Sequence, residues 1–203
     1  MCLRDKESLK TLKSLGVRQK NIFFIGRKLE IKNNNLYLDA KKVISFLEDF
    51  FLKKFKPSAI YTHSWEGGHE DHDTCNLIAR RLRKKFNIKN CFQFSQYNSF
   101  NTSLIFFKVF NPIDKNNGKK VFTNLLNRIR FIRLLFNYKS QIKIWFGLYP
   151  FIINHYLFKG FNFIENLETS NKIIKPHSGK LLYEKRNFCK FSTFKKKTSF
   201  LLR

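Results

Sequence analysis

Acidic residues are scarce in this chain. Among 203 residues, 14 Asp and Glu stand against 40 Lys and Arg, a formal net charge of +26. Such an imbalance points to an anionic partner: nucleic acid, an anionic membrane surface or a negatively charged substrate. The competing account is compositional drift. Lys, Asn, Ile and Phe abound throughout, and the basic residues are spread along the chain rather than gathered in a tail. Cysteine is also sparse. Cys2, Cys75, Cys91 and Cys189 show no Cys-x-x-Cys spacing, which reads as reduced thiols in a cytoplasmic protein. Cys75, three residues past His72, reads as a small buried residue. No apolar signal segment follows Met1, since charge begins at Arg4. The longest nearly uncharged run, Ile144 to Phe158, is about 15 residues and falls short of the ~20 needed to span a bilayer. It reads as core helices covering a sheet, with an interfacial element as the alternative. What is present is apolar substance: 43% hydrophobic and 17% aromatic residues. That excludes a disordered chain and suffices for one domain with a real core.

The most informative stretch is Tyr61-Thr62-His63-Ser64-Trp65-Glu66-Gly67-Gly68-His69-Glu70-Asp71-His72-Asp73, with three of the five histidines and four acidic residues. Ala59 to Thr62 before it reads as a strand. Thr74 to Phe86 after it reads as a helix, with Leu77, Ile78, Leu82 and Phe86 apolar. A loop between a strand end and a helix start is where open α/β sheets bind ligands. Gly67-Gly68 permits a sharp turn and close approach to a bound group. His72 can offer an imidazole nitrogen to a metal. Asp71, two residues from His69, can orient and charge-stabilise that ring. Catalytic zinc takes three protein ligands as a rule, so further ligands must come from elsewhere. The bland alternative is a solvated polar loop capping a helix.

Around this stretch the pattern alternates. Asp5 to Leu15 reads as an amphipathic helix stopped at Gly16. Asn21 to Gly26 encloses the run Ile22 to Ile25, suited to a buried parallel strand. Tyr37 to Lys54 carries a stripe of Val43, Ile44, Leu47, Phe50 and Phe51 at helical spacing. Cys91 to Tyr97 and Leu104 to Phe110 read as strands. The expected fold is α/β and Rossmann-like, a mostly parallel sheet flanked by helices, in one domain over residues 1–203. Residues 1–110 form its core sheet and active loop. Residues 111–170 form a helical elaboration, including a basic helix over Lys119 to Tyr138; His155 within this region reads as structural. Residues 171–203 form a closing strand and a basic tail, the tail from Lys185 reading as an edge strand with a frayed end.

Glu66-Gly67-Gly68-His69-Glu70-Asp71-His72-Asp73 resembles the second signature of the PIG-L/LmbE-like zinc deacetylases, usually Gly-His-Pro-Asp-His, with Glu70 where the family most often has Pro. Arg4-x-x-Glu7, the Leu15-Gly16 turn and Asn21 to Gly26 resemble that family's opening helix, turn and strand. Lys175 to Glu184 is a weaker match to the closing strand of bacterial members. The resemblance implies metal-dependent N-deacetylation of an N-acetylglucosamine-type sugar conjugate. It implies Zn2+, or another divalent metal, on His72. It also implies His69 as oxyanion stabiliser or acid, Asp71 as its partner, and Arg4 as a substrate-binding residue.

The family's first signature, Ala-His-Pro-Asp-Asp-Glu, supplies two metal ligands and the general base, and it occurs nowhere in these 203 residues. The chain is therefore expected to lack the first strand–helix unit. Either Met1 is internal to a longer reading frame, or this is a truncated or degenerate copy. Three readings follow: a zinc deacetylase, a catalytically dead remnant of that fold, and a basic protein binding nucleic acid or an anionic surface. No known nucleic-acid-binding module is visible to favour nucleic acid. A cytoplasmic enzyme peripheral to an anionic membrane fits the first.

Overall fold

The computed structural model describes residues 2–53, 55, 57–102, 106–115 and 118–203. In chain order the helices are α1 (Leu3–Ser14), α2 (Ile25–Lys28), α3 (Leu36–Lys53), α4 (Glu70–Phe86), α5 (Leu125–Leu135), α6 (Ile142–Gly147), α7 (Tyr149–Phe158), α8 (Leu182–Lys185) and α9 (Phe191–Thr198). The strands are β1 (Ala59–His63), β2 (Asn90–Phe94), β3 (Tyr97–Asn98), β4 (Lys108–Val109), β5 (Gly118–Phe122) and β6 (Phe161–Asn166). The chain divides into two compact units. One comprises Met1–Ile25 and Val121–Asn162, the other Gly26–Lys120 and Phe163–Arg203, and the division falls within β5 and β6.

The larger unit is built on a four-stranded sheet in the order β1-β2-β6-β5. β1 and β2 run parallel, with Ala59 opposite Asn90 and His63 opposite Phe94. β2 and β6 run antiparallel, with Phe94 opposite Ile164. The fold is thus α/β with a mixed sheet flanked by helices. The parallel pair is joined through α4, as a crossover connection requires. α3 packs on α4, and α9 packs on both. The stripe read from the sequence is the reason: Val43 and Ile44 of α3 and Leu77, Ile78 and Leu82 of α4 are all buried. Ala79, Ile88, Cys91 and Leu167 close the core beside the sheet, with Ile60 and Phe86 against them. α4 also satisfies its own ends. Glu70, Asp71 and Asp73 occupy its first turn, Arg83, Lys84 and Lys85 its last, and Asn87 caps it in the left-handed conformation, a charge order that matches the helix dipole.

The smaller unit holds α1, α5, α6 and α7, with α5 and α6 both packed on α7. Glu7 is buried on α1. Its carboxylate accepts from Ser140 N at 2.9 Å and from Ser140 Oγ at 2.5 Å. Asn137 Nδ2 donates to Thr11 Oγ1, and the Arg130 guanidinium donates to Ser14 O. α7 buries Tyr149, Ile152 and Tyr156 while Phe151, Leu157 and Phe158 are exposed, so only one side of the apolar run serves as core. His155 is buried and its Nε2 donates to Phe161 O at 2.6 Å. No helix among the described residues is long and apolar enough to cross a membrane.

The structure corrects several expectations. Asn21 to Gly26 is not a strand: a 3-10 turn occupies Gln19–Asn21 and α2 begins at Ile25, with Phe23 59% exposed. Four apolar residues carry no periodicity that separates a buried strand from a helix start. The basic helix expected over Lys119 to Tyr138 begins only at Leu125, because Asn124 caps it by accepting from Asn127 N; Gly118–Phe122 is strand instead. Cys91 to Tyr97 divides into β2 and β3. Of Leu104 to Phe110, residues 104 and 105 lie outside the described set, and Lys108–Val109 is strand. Lys175 to Glu184 forms turns leading into α8, not a closing strand. The tail is neither edge strand nor frayed: α9 and the 3-10 turn Ser199–Leu202 bury Phe194, Thr198, Leu201 and Leu202. Phe194 and its neighbours at helical spacing are core residues that read as tail only because lysines surround them.

Phe194 is fully buried and meets the rings of Tyr37, Trp65 and Tyr183. Phe194→Ala is expected to destabilise the larger unit by about 3–5 kcal/mol, measured as a shift in the urea midpoint at constant slope.

Candidate metal and imidazole site

The site begins where β1 ends. His63 is the last residue of β1, and its backbone carbonyl accepts from Asn76 Nδ2 of α4 at 2.7 Å. The same amide nitrogen donates to Gln93 Oε1, whose Nε2 donates to Glu165 Oε2 at 2.7 Å. Arg80 Nε donates to Asn76 Oδ1. This buried polar chain ties the end of β1 to α4, β2 and β6, so the position of His63 is fixed by satisfied donors and acceptors rather than by apolar contact alone.

Two buried carboxylates then shape the loop. Glu66 is 2% exposed. It accepts from Ser95 Oγ at 2.7 Å, Gln96 N at 2.7 Å, Tyr97 N at 3.0 Å and Asn98 Nδ2 at 3.1 Å. Burial raises its pKa, and these four bonds oppose the rise. Asp73, fully buried, accepts on Oδ1 from Glu66 N and Gly67 N, both at 3.2 Å. Burial holds its pKa well above the usual carboxylate value. Between them, Gly67 has φ +69°, and a Cβ there would lie 2.6 Å from the Leu181 side chain. A Cβ on Gly68 would lie 1.9 Å from Tyr97 O. The glycine pair therefore serves a close approach to the protein's own chain, at Tyr97 and Leu181.

Three imidazoles meet beside this loop. The rings of His63 and His72 stack with centroids 4.1 Å apart and planes 19° from parallel. His72 and His69 stack at 4.9 Å and 25°. Phe94 borders His63, Tyr97 borders His72 and Phe188 borders His69. Burial, and then the charge of His69, lowers the His63 pKa to about 4. His63 Nδ1 is buried with no hydrogen-bond partner among the described residues.

His69 is the N-cap of α4, its Nδ1 accepting from Asp71 N at 3.1 Å. A neutral ring held this way carries its proton on Nε2. Glu70 Oε2 lies 3.6 Å from the same Nδ1, too far to displace that bond. The Asp71 carboxylate has an oxygen within 4.8 Å of a His69 ring nitrogen, and it also anchors backbone amides. Its Oδ2 accepts from Asn34 N at 2.9 Å and its Oδ1 from Leu36 N at 3.0 Å, where α3 starts. Asp71 thus orients His69 through its backbone, while its side chain anchors the neighbouring helix.

His69, Glu70 and Asp71 offer ligand atoms within 4.8 Å of one another. Imidazole nitrogen and carboxylate oxygen are donor types that suit a divalent ion. Both oxygens of the fully buried Glu70 lack hydrogen-bond partners among the described residues, whereas His69 Nδ1 already accepts from Asp71 N. Each orphaned buried group costs about 1–3 kcal/mol unless something satisfies it, and a bound ion does so. Of the expected site residues, the structure brings His69, Asp71 and His72 together. Arg4 lies exposed on α1 in the smaller unit. Sequence pattern alone assigns no role to His63, Glu66, Glu70 or Asp73. The signal for His63 is its place at the carboxyl end of a parallel strand.

Burial, with the charge of Asp71 adding to it, raises the Glu70 pKa to about 7. Between pH 4.5 and about 7 the native state therefore holds a proton that the unfolded chain has lost, and stability falls as pH rises through that window. Glu70→Gln removes this dependence. It is expected to gain stability over the parent by on the order of 3 kcal/mol at pH 8 relative to pH 4.5, read from urea midpoints of both proteins at the two pH values.

Residues 2–82 match the family model PIG-L, GlcNAc-PI de-N-acetylase. Comparison with curated proteins and with solved structures gives no match.

Proposed function

We propose, from the match of residues 2–82 to the PIG-L family, a family acting on N-acetylated sugars, that this protein is a metal-dependent deacetylase of an N-acetylglucosamine-type sugar conjugate. The observation that carries the reading is the meeting of His69 and His72 at the end of β1 and the start of α4, in contact ring to ring. His72 would hold zinc, with the carboxylate of Glu70 or Asp71 among the donors that could join it. Zinc, when bound, acts as a Lewis acid that lowers the pKa of water and polarises a carbonyl.

The chain's own part in the reaction centres on His69. The Asp71 N–H fixes its ring, so Nε2–H is the donor available to the acetamide oxygen as negative charge develops there. With Nδ1 held as an acceptor, the ring carries a single proton, which suits the oxyanion-stabilising role and leaves protonation of the departing amine to another group. Asp71 is a positioning residue in this scheme, acting through its amide on His69 and through its carboxylate on the start of α3. Arg4 would hold substrate. The +26 charge suits a conjugate carrying phosphate or an anionic membrane surface on which such a conjugate lies.

A second reading has its own observation: these residues contain no Ala-His-Pro-Asp-Asp-Glu segment, hence no such base for water. On that reading the chain keeps the fold and has lost the chemistry. Acetate release from an N-acetylglucosamine conjugate in the presence of Zn2+ separates the two. The deacetylase reading predicts turnover that His69→Ala reduces by roughly 10²-fold or more and that His72→Ala abolishes. Absence of turnover in the parent chain would support the remnant.

A further inference from the structure

We infer that His63 is a second imidazole ligand, beside His72, for the divalent cation of this site. The inference rests on the metal-dependent reading above and adds to it a residue outside the Gly-His-x-Asp-His segment. Three observations carry it. First, His63 closes the parallel strand β1, at the sheet edge where α/β folds gather ligands. Second, its ring lies 4.1 Å from that of His72 and 19° from parallel. Imidazoles that share one zinc converge on it through their nitrogens while their ring centres stand farther apart, so the two rings would splay slightly from this stack to share an ion. Third, His63 Nδ1 is buried without a hydrogen-bond partner among the described residues, although the residue's backbone is firmly held by Asn76. A polar atom sealed from water, on a residue held in place, calls for a satisfying group.

A structural role offers a competing account, since Phe94 also packs on His63 at 5.1 Å. In that case an aromatic ring without nitrogens would serve equally. The His63→Phe variant separates the two, because it keeps the stack with His72 and Phe94 and removes only the ligand atoms.

The test uses the full chain. Zinc affinity is measured by competition with a chromophoric chelator, and the visible spectrum is recorded with Co2+ in place of Zn2+. His63→Phe and His72→Ala are each expected to weaken zinc binding at least about tenfold, since even groups behind the ligands cost that much, and to alter the Co2+ bands. His63→Gln is read in the same way should the Phe variant lose its native far-ultraviolet circular dichroism. Unchanged affinity and spectrum in the His63 variants, with binding weakened by His72→Ala, would overturn the role of His63 and leave the metal-dependent reading standing. A parent chain that binds no zinc would overturn both.

Discussion

The structure around the histidines depends on one constraint, the burial of two carboxyl groups, Glu66 bonded on both oxygens and Asp73 on Oδ1. Glu66 gathers four donors from Ser95 to Asn98, and Asp73 gathers the amides of Glu66 and Gly67. Together they bind the loop after β1, the first turn of α4 and the segment after β2 into one body. Neither carboxylate could be withdrawn from water without those partners, and neither set of amides could be buried without the carboxylates. The glycine pair follows from this closeness. Tyr97 O and the Leu181 side chain occupy the space where side chains on Gly68 and Gly67 would stand.

That rigidity has a chemical consequence. A catalytic imidazole is useful when its tautomer and direction are set in advance. His69 has its Nδ1 committed to the amide of Asp71, and Asp71 is itself pinned to the backbone at Asn34 and Leu36. A chain of hydrogen bonds therefore runs from the start of α3 to the ring that would face substrate. His63 is held from the other side through Asn76, Gln93 and Glu165. Two independent polar networks converge on a short stack of imidazoles.

Much of this was legible in the sequence. Alternation of α3, β1, α4 and β2 followed from apolar spacing, and the loop between β1 and α4 stood out by its histidines and acids. What could not be read were contacts between distant segments. Asp71 and His69 are neighbours two residues apart, and a carboxylate–imidazole pair was the natural reading. The carboxylate also accepts from backbone amides 35 and 37 residues away, which no local pattern announces. Ile22 to Ile25 looked like a strand because strands and buried helix starts share short apolar runs. Phe194 and Leu201 were lost among lysines, though they fill the core against α3 and α4. The role of Glu66 lay in donors 29 to 32 residues ahead of it.

The central claim of the proposed reading is that imidazoles of this loop, with a carboxylate of Glu70 or Asp71, coordinate a divalent ion. X-ray absorption at the zinc edge, on the full chain loaded with one equivalent of Zn2+, tests it most directly. The account predicts nitrogen and oxygen scatterers at about 2.0–2.2 Å with the multiple-scattering pattern of at least two imidazoles. A shell of thiolate sulfur, or of oxygen without imidazole, would contradict it.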